Sequence, residues 1–142
     1  MDDGATSITG GCLCGAVRFT ISAPPMLARA CWCRLCQAIG AGSATVNVVF
    51  PSDAVSVEGT TSDYACLAQS GSHMHRRFCP KCGTPLFSAA EERPQVIIVR
   101  AGALDDPEIG RPGLTIWTSE APSWACIDAD LPQAAQQSPP AP

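Results

Sequence analysis

"CPKCG", residues 79–83, and "CLCG", residues 12–15, decide how this chain is to be read. Each sets two cysteines on a tight turn. In the first, Pro80 fixes the backbone after the leading cysteine, and Gly83 permits the turn that aims amide N–H groups back at the sulfurs. That is the pattern of a zinc knuckle. The C-x-C pair is tighter than a C-x-x-C pair but still offers two thiolates. The two turns look like halves of one site: four thiolates at about 2.3 Å form a closed tetrahedral zinc centre of the structural kind. The competing reading is buried free cysteine in hairpin turns, but free cysteine seldom arrives in two turn-borne pairs. Four thiolates around one dication leave a net charge of about −2, which calls for N–H donors or cations nearby. Arg76, Arg77 and Lys81 are candidates for that role, or else a solvated basic face.

A second set lies in "RACWCRLCQA", residues 29–38, where Cys31, Cys33 and Cys36 combine C-x-C with C-x-x-C. A short loop leading into one helical turn can aim all three sulfurs at a point. Three protein ligands and one exchangeable position is the arrangement of a catalytic zinc. Cys66, Cys126, His73 and His75 are the remaining candidates for a fourth ligand. Cys66 and Cys126 each read more readily as small core residues. His73 and His75 fall in "SGSHMHRR", which reads as a solvated loop, although H-x-H can also supply a ligand or a proton relay. If none coordinates, the position belongs to water or substrate. Three thiolates make zinc a weaker Lewis acid than three histidines do, so an exchangeable thiol suits the site better than hydrolysis.

Composition sets the frame. The 142 residues carry nine cysteines, 13 prolines and 12 glycines. That length suits one domain with a modest core that benefits from a staple. An odd cysteine count leaves one thiol over under any all-disulfide scheme, and the spacings favour metal. A net charge of −4 argues against a nucleic-acid surface. The longest aliphatic run, "VIIV" at 96–99, is far too short to span a bilayer. The acidic start "MDDGATSITG" lacks the apolar core of a secretory signal. The expectation is a cytoplasmic protein with no nucleic-acid or membrane partner.

Periodicity is mostly two. Val17, Phe19 and Ile21 share one face of "GAVRFTIS", opposite Arg18, Thr20 and Ser22. Ala44, Val46, Val48 and Phe50 share a face of "SATVNVVF". "DAVSVEG", "PQVIIVRAG" and "GLTIWTS" read as further strands, and "RLCQAIG" as a helical turn ended by Gly40. The expected fold is mainly β. Residues 133–142, ending in "QQSPPAP", have no apolar pattern and are expected to be a disordered tail. Trp117 and Trp124 flank "TSEAPS" and read as packing residues rather than a pocket wall.

The chain resembles the glutathione-dependent formaldehyde-activating (GFA, or CENP-V/GFA domain) family. The resemblance is carried by "GGCLCGAVRF" (10–19), "CWCRLCQAIGAGSA" (31–44), "RRFCPKCGTPLF" (76–87), "RAGALDDP" (100–107) and "TIWTSEAPSW" (115–124), in the family's order. It implies a zinc-binding Mss4-like, β-tent fold over residues 8–132, with a short helical turn after the C-x-C-x-x-C loop. It implies two zinc ions, a structural one on Cys12, Cys14, Cys79 and Cys82 and a catalytic-type one on Cys31, Cys33 and Cys36. It further implies the addition of glutathione to formaldehyde to give S-hydroxymethylglutathione, a carbon–sulfur lyase activity. One departure is visible: Trp32 stands where many members carry histidine, which removes a titratable group from beside the second zinc. The expectation is therefore an enzyme acting on a thiol–aldehyde adduct, with catalytic residues unassigned beyond that zinc. The alternative is a non-catalytic, zinc-stabilised binding module, with a nucleic-acid-binding ribbon more distant.

Overall fold

The computed structural model describes residues 7–137. The strands are β1 (Ile8–Gly11), β2 (Arg18–Ile21), β3 (Leu27–Cys31), β4 (Thr45–Pro51), β5 (Val55–Glu58), β6 (Ser62–Leu67), β7 (His73–Phe78), β8 (Pro85–Ala90), β9 (Val96–Arg100) and β10 (Thr115–Ile116). One helix, α1 (Arg34–Ile39), follows β3 and ends at Gly40, as the sequence indicates. The fold is mainly β and Mss4-like. β1, β2 and β5 form a small antiparallel sheet. The other seven strands form a larger sheet in the order β10-β3-β4-β9-β8-β7-β6, antiparallel except for the β10–β3 pair.

The main core lies between the two sheets. Val17, Phe19 and Ile21 are fully buried there, and Arg18, Thr20 and Ser22 are exposed. Phe19 meets Phe87 of β8 edge to face, with ring centroids 5.2 Å apart. Val48 and Phe50 of β4 and Val99 of β9 join them. Gly10 shows how tightly β1 is packed: a Cβ there would lie 2.3 Å from both the Ala103 carbonyl oxygen and the ring of its cross-strand partner Phe19.

The other face of the large sheet is also covered, which the alternation in β4 does not convey. Thr45 and Asn47, on the polar side of that alternation, are buried. Register explains why. Arg29 of β3 pairs with Asn47, which pairs with Arg100 of β9, and Cys31 pairs with Thr45. This face carries the second cysteine set, covered by α1 and by the chain around β10.

Three expectations change. "SGSHMHRR" is not a loop; His73 and His75 sit on β7, paired with β6 and β8. The stretch lacks apolar alternation because its strand is held by backbone ladders and polar side chains, near an edge strand. "GLTIWTS" contributes only two strand residues, since Trp117 turns away at φ 58°. The tail assigned from residue 133 is partly built into the fold. Thr115 N–H donates to Pro132 O, Ala134 N–H to Thr115 O and Trp117 N–H to Gln136 O. Backbone pairing holds this segment where an apolar pattern is missing. Residues 138–142 lie outside the described residues.

His75 ties three parts of the sheet together. Its Nδ1 lies 2.6 Å from Asp63 of β6 and its Nε2 2.7 Å from Glu91 beyond β8. Asp63 and Glu91 raise the imidazole pKa by hydrogen bonding and charge, against a smaller opposing effect of burial. A raised folded-state pKa stabilises fully below the unfolded value near 6.5, and the gain disappears as pH rises through the folded value. The wild-type chain should therefore lose its advantage over His75→Gln as pH rises from about 6.5 upward through the raised folded-state value. Urea midpoints of the two proteins across that range check this; a constant difference would contradict it.

Candidate metal centres and the cavity beside them

The sequence builds the first cluster from two turns. Gly15 (φ 82°) and Gly83 (φ 78°) occupy the left-handed region that the turns require. The Cys12, Cys14, Cys79 and Cys82 sulfurs all lie within 4.8 Å of one another. Cys12 and Cys14 are 3.6 Å apart, and Cys14 and Cys79 are 3.8 Å apart. A tetrahedral ion with bonds of about 2.3 Å, the Zn–S length, holds its sulfurs about 3.8 Å apart, so the residues present fit such an ion. Backbone donors serve as the sequence anticipates. Val17 N–H donates to Cys12 Sγ at 3.2 Å and Lys81 N–H to Cys79 Sγ at 3.4 Å. The Thr84 hydroxyl and backbone N–H lower the Cys82 thiol to about 5. Thr84 Oγ1 also accepts from Leu13 N–H at 3.0 Å, stitching one turn to the other.

The second cluster is assembled by β3 and α1. Cys31 ends the strand, Cys33 caps the helix by accepting from Cys36 N–H at 3.3 Å, and Cys36 lies one turn in. All three are buried, with sulfurs within 4.8 Å. Hydrogen bonds from the Cys31 and Cys33 thiols, with help from Thr45 and the charge of Arg100, pull the Cys36 pKa far down despite its burial. Hydrogen bonding to Cys33 and Cys36, together with burial, pushes Cys31 far up. Cys33 is raised as well: its bond with Cys31 lowers it, but Cys36 and burial outweigh that.

None of the four candidates for a fourth ligand joins this triad. His75 and His73 alternate on β7 with Met74 and Arg76, which face the triad's side of the sheet, so the histidines face away. His73 pairs with Glu92 at 2.6 Å. The Cys66 sulfur accepts from Arg76 Nε at 3.3 Å. Cys126 is exposed and is not the core residue it resembled. Arg76, one of the three cations expected near the first cluster, lines the cavity beside the second.

That cavity, of about 70 Å³, opens over the three sulfurs. Arg29, Arg76, Arg93 and Arg100 line it, with Asn47 and Trp117, and no carboxylate does among the described residues. Asn47 Nδ2 donates to Thr45 Oγ1 at 3.1 Å, so its Oδ1 faces Arg100 and accepts from Nη1 at 2.5 Å. The β6–β7 hairpin tip forms one lip: Gln69 Nε2 donates to Glu120 at 3.0 Å, and its Oε1 accepts from Arg34 N–H. Gln137 of the C-terminal segment forms part of the wall and accepts from Trp117 Nε1 at 3.0 Å. Trp117 is a wall residue after all, held there by a left-handed backbone costing about 1–2 kcal/mol. Trp32, buried between Cys31 and Cys33, is not among the lining residues. A larger depression, of about 650 Å³ beside Pro24 and Asp106, offers neither sulfur nor arginine.

The fold and these two clusters define a class: a mainly β domain with one sulfur-closed cluster and one three-sulfur cluster facing an arginine-lined cavity. The family described as "Glutathione-dependent formaldehyde-activating enzyme" matches residues 7–120, and the chain belongs to it. It is 30% identical over 129 residues to a Halomonas elongata protein named, provisionally, for that activity, covering 86% of this chain and 82% of the relative. A Rhodobacter sphaeroides crystal structure shares the fold, with a TM-score of 0.56 at 21% identity over 73% of this chain and 96% of that one.

An ion entering the triad must displace the Cys31 and Cys33 protons. Apparent affinity for Zn²⁺ should therefore rise steeply, by up to about a hundredfold per pH unit between pH 6 and 7. Competition with a chromophoric chelator at several pH values measures the slope, and a flat dependence would contradict the assignment of those protons.

Proposed function

We propose that this chain is a two-zinc enzyme that joins a small anionic thiol to an aldehyde, or cleaves the adduct, in the manner of a carbon–sulfur lyase. Zinc on Cys12, Cys14, Cys79 and Cys82 is structural, and zinc on Cys31, Cys33 and Cys36 is the working ion. One observation carries the reading: three buried sulfurs, with no fourth protein ligand among the described residues, face a cavity lined by four arginines. Glutathione and formaldehyde, the pair in the family's name, are the first substrates to test.

Charge explains the arginines. Three thiolates and a dication sum to about −1, and the buried Arg29 and Arg100 bring the inner site to about +1. An incoming thiolate neutralises it. Arg76 and Arg93, less buried, then face whatever lies beyond the sulfur, which suits carboxylates. A cavity of about 70 Å³ holds a sulfur and a small carbonyl compound, while the rest of a larger thiol lies at the lip formed by Gln69 and Ser70. Zinc would supply a sulfur-accepting Lewis acid that favours the ionised thiol near neutral pH. The protein holds the two partners together in a small, buried space. Trp32 lies outside the cavity wall, so its replacement of histidine leaves this arrangement intact.

Cys33→Ser should lower zinc content from two per chain to one and reduce adduct formation at least about a hundredfold, with an unchanged circular dichroism spectrum. Cys79→Ser should instead lose the fold, because a structural ion contributes folding free energy outright. Nuclear magnetic resonance of the adduct, metal analysis and melting curves distinguish these results; full activity in Cys33→Ser would end the proposal. A sulfur-rich shell indifferent to added thiol, seen by X-ray absorption, would favour the binding-module reading.

Arg93→Gln should raise KM for a dicarboxylate thiol about three- to tenfold and leave a neutral thiol such as 2-mercaptoethanol unaffected. Equal effects on both thiols would remove Arg93 from substrate recognition.

A further inference from the structure

We infer that Arg100 is a catalytic residue that holds the carbonyl-derived oxygen during thiol–aldehyde addition. The inference rests on the function proposed above. It assigns to a named side chain the part of the reaction that the sulfur ligands leave uncovered.

Register places the group. Arg29, Asn47 and Arg100 form one row across β3, β4 and β9, one same-face step from the Cys31–Thr45 pair. Arg100 is 7% exposed and lines the same cavity as Cys31, Cys33 and Cys36. Its aim is fixed by its neighbour in the row. Asn47 is polarity-locked by the Thr45 hydroxyl, and its Oδ1 grips Arg100 Nη1 at 2.5 Å. A planar guanidinium held at one nitrogen keeps its remaining N–H groups in a fixed fork. Orientation is thus settled before substrate arrives, which is what electrostatic catalysis requires.

The reaction moves charge toward such a group. The thiolate lone pair forms the S–C bond, and the C=O π pair passes to oxygen. Negative charge leaves a sulfur among the cysteines and appears on an oxygen one carbon away. Water then protonates the alkoxide. In reverse, the hydroxyl proton goes to water, and the alkoxide re-forms C=O as the S–C bond breaks. Arg100, on the wall of the cavity that the Cys36 sulfur also lines, can follow the charge from S to O without giving up a proton, since guanidinium stays protonated at all working pH. Arg29, at the other end of the row, balances charge beside Cys31.

The test uses the full-length, zinc-loaded protein with a thiol and formaldehyde, following adduct formation and cleavage. Arg100→Gln should keep its metal content and stay within about threefold of wild type in KM for the thiol, while kcat falls about 100- to 1,000-fold. Arg100→Lys, which keeps the charge but loses the fork, should lose at least about tenfold in kcat. Methylguanidinium at millimolar concentration should restore part of the kcat of Arg100→Ala, which a purely structural role would not allow. If Arg100→Gln does not fold, the Lys variant and the rescue decide the matter. A kcat within threefold of wild type in Arg100→Lys, together with no rescue of Arg100→Ala, overturns the assignment. A wild-type protein that forms no adduct with any thiol–aldehyde pair overturns the proposed function and this inference with it; an active wild type with an indifferent Arg100 overturns only the latter.

Discussion

The register of β4 between β3 and β9 is the constraint on which the molecule turns. It sets Asn47 opposite both Arg29 and Arg100, and Thr45 opposite Cys31. Side chains alternate across a sheet, so a slip of one residue would send every one of these groups to the other face. Val48 and Phe50 prevent the slip, because they must remain in the core with Phe19 and Phe87. A hydrophobic constraint on one side of β4 thus fixes a polar arrangement on the other. The site inherits its precision from the core, without a separate scaffold of its own.

The two cysteine clusters use the same ligand atom to different ends. The first draws its sulfurs from turns far apart in the chain, with Cys14 and Cys79 separated by 65 positions. Backbone N–H groups and Thr84 satisfy its sulfurs locally, and the cluster closes on itself. The second draws its sulfurs from six consecutive residues and leaves one side open. Its partners are charged side chains from other strands, so its electrostatics belong to the tertiary structure. A local turn can make a closed site, whereas an open site needs walls that only the assembled sheet supplies.

This division explains what the sequence disclosed. The motif cysteines, the core face of β2 and the helical turn after Cys33 are local patterns, legible from spacing of two to four residues. Arg29 was within reach too, since it shares a strand face with Cys31 two residues on. Arg100 was not: its place beside Cys36 depends on a register 53 positions away from Asn47. His75 was misread as a loop residue because its carboxylate partners, Asp63 on β6 and Glu91 just past β8, lie 12 and 16 positions away in the chain. The wall contributed by Gln137 had no apolar signature, being held by backbone pairing to β10. Trp32 stands between two of the clustered cysteines in the chain, yet it is buried away from the cavity wall.

Trp117 shows what such a wall requires of the backbone. An indole in the left-handed region is a conformational debt that glycine would cancel, yet glycine would leave the cavity without that side and Gln137 without its partner. Selection for a sturdier protein and selection for a tighter site therefore pull this position in opposite directions. The tryptophan marks where the fold has given up stability to keep its shape around the sulfurs.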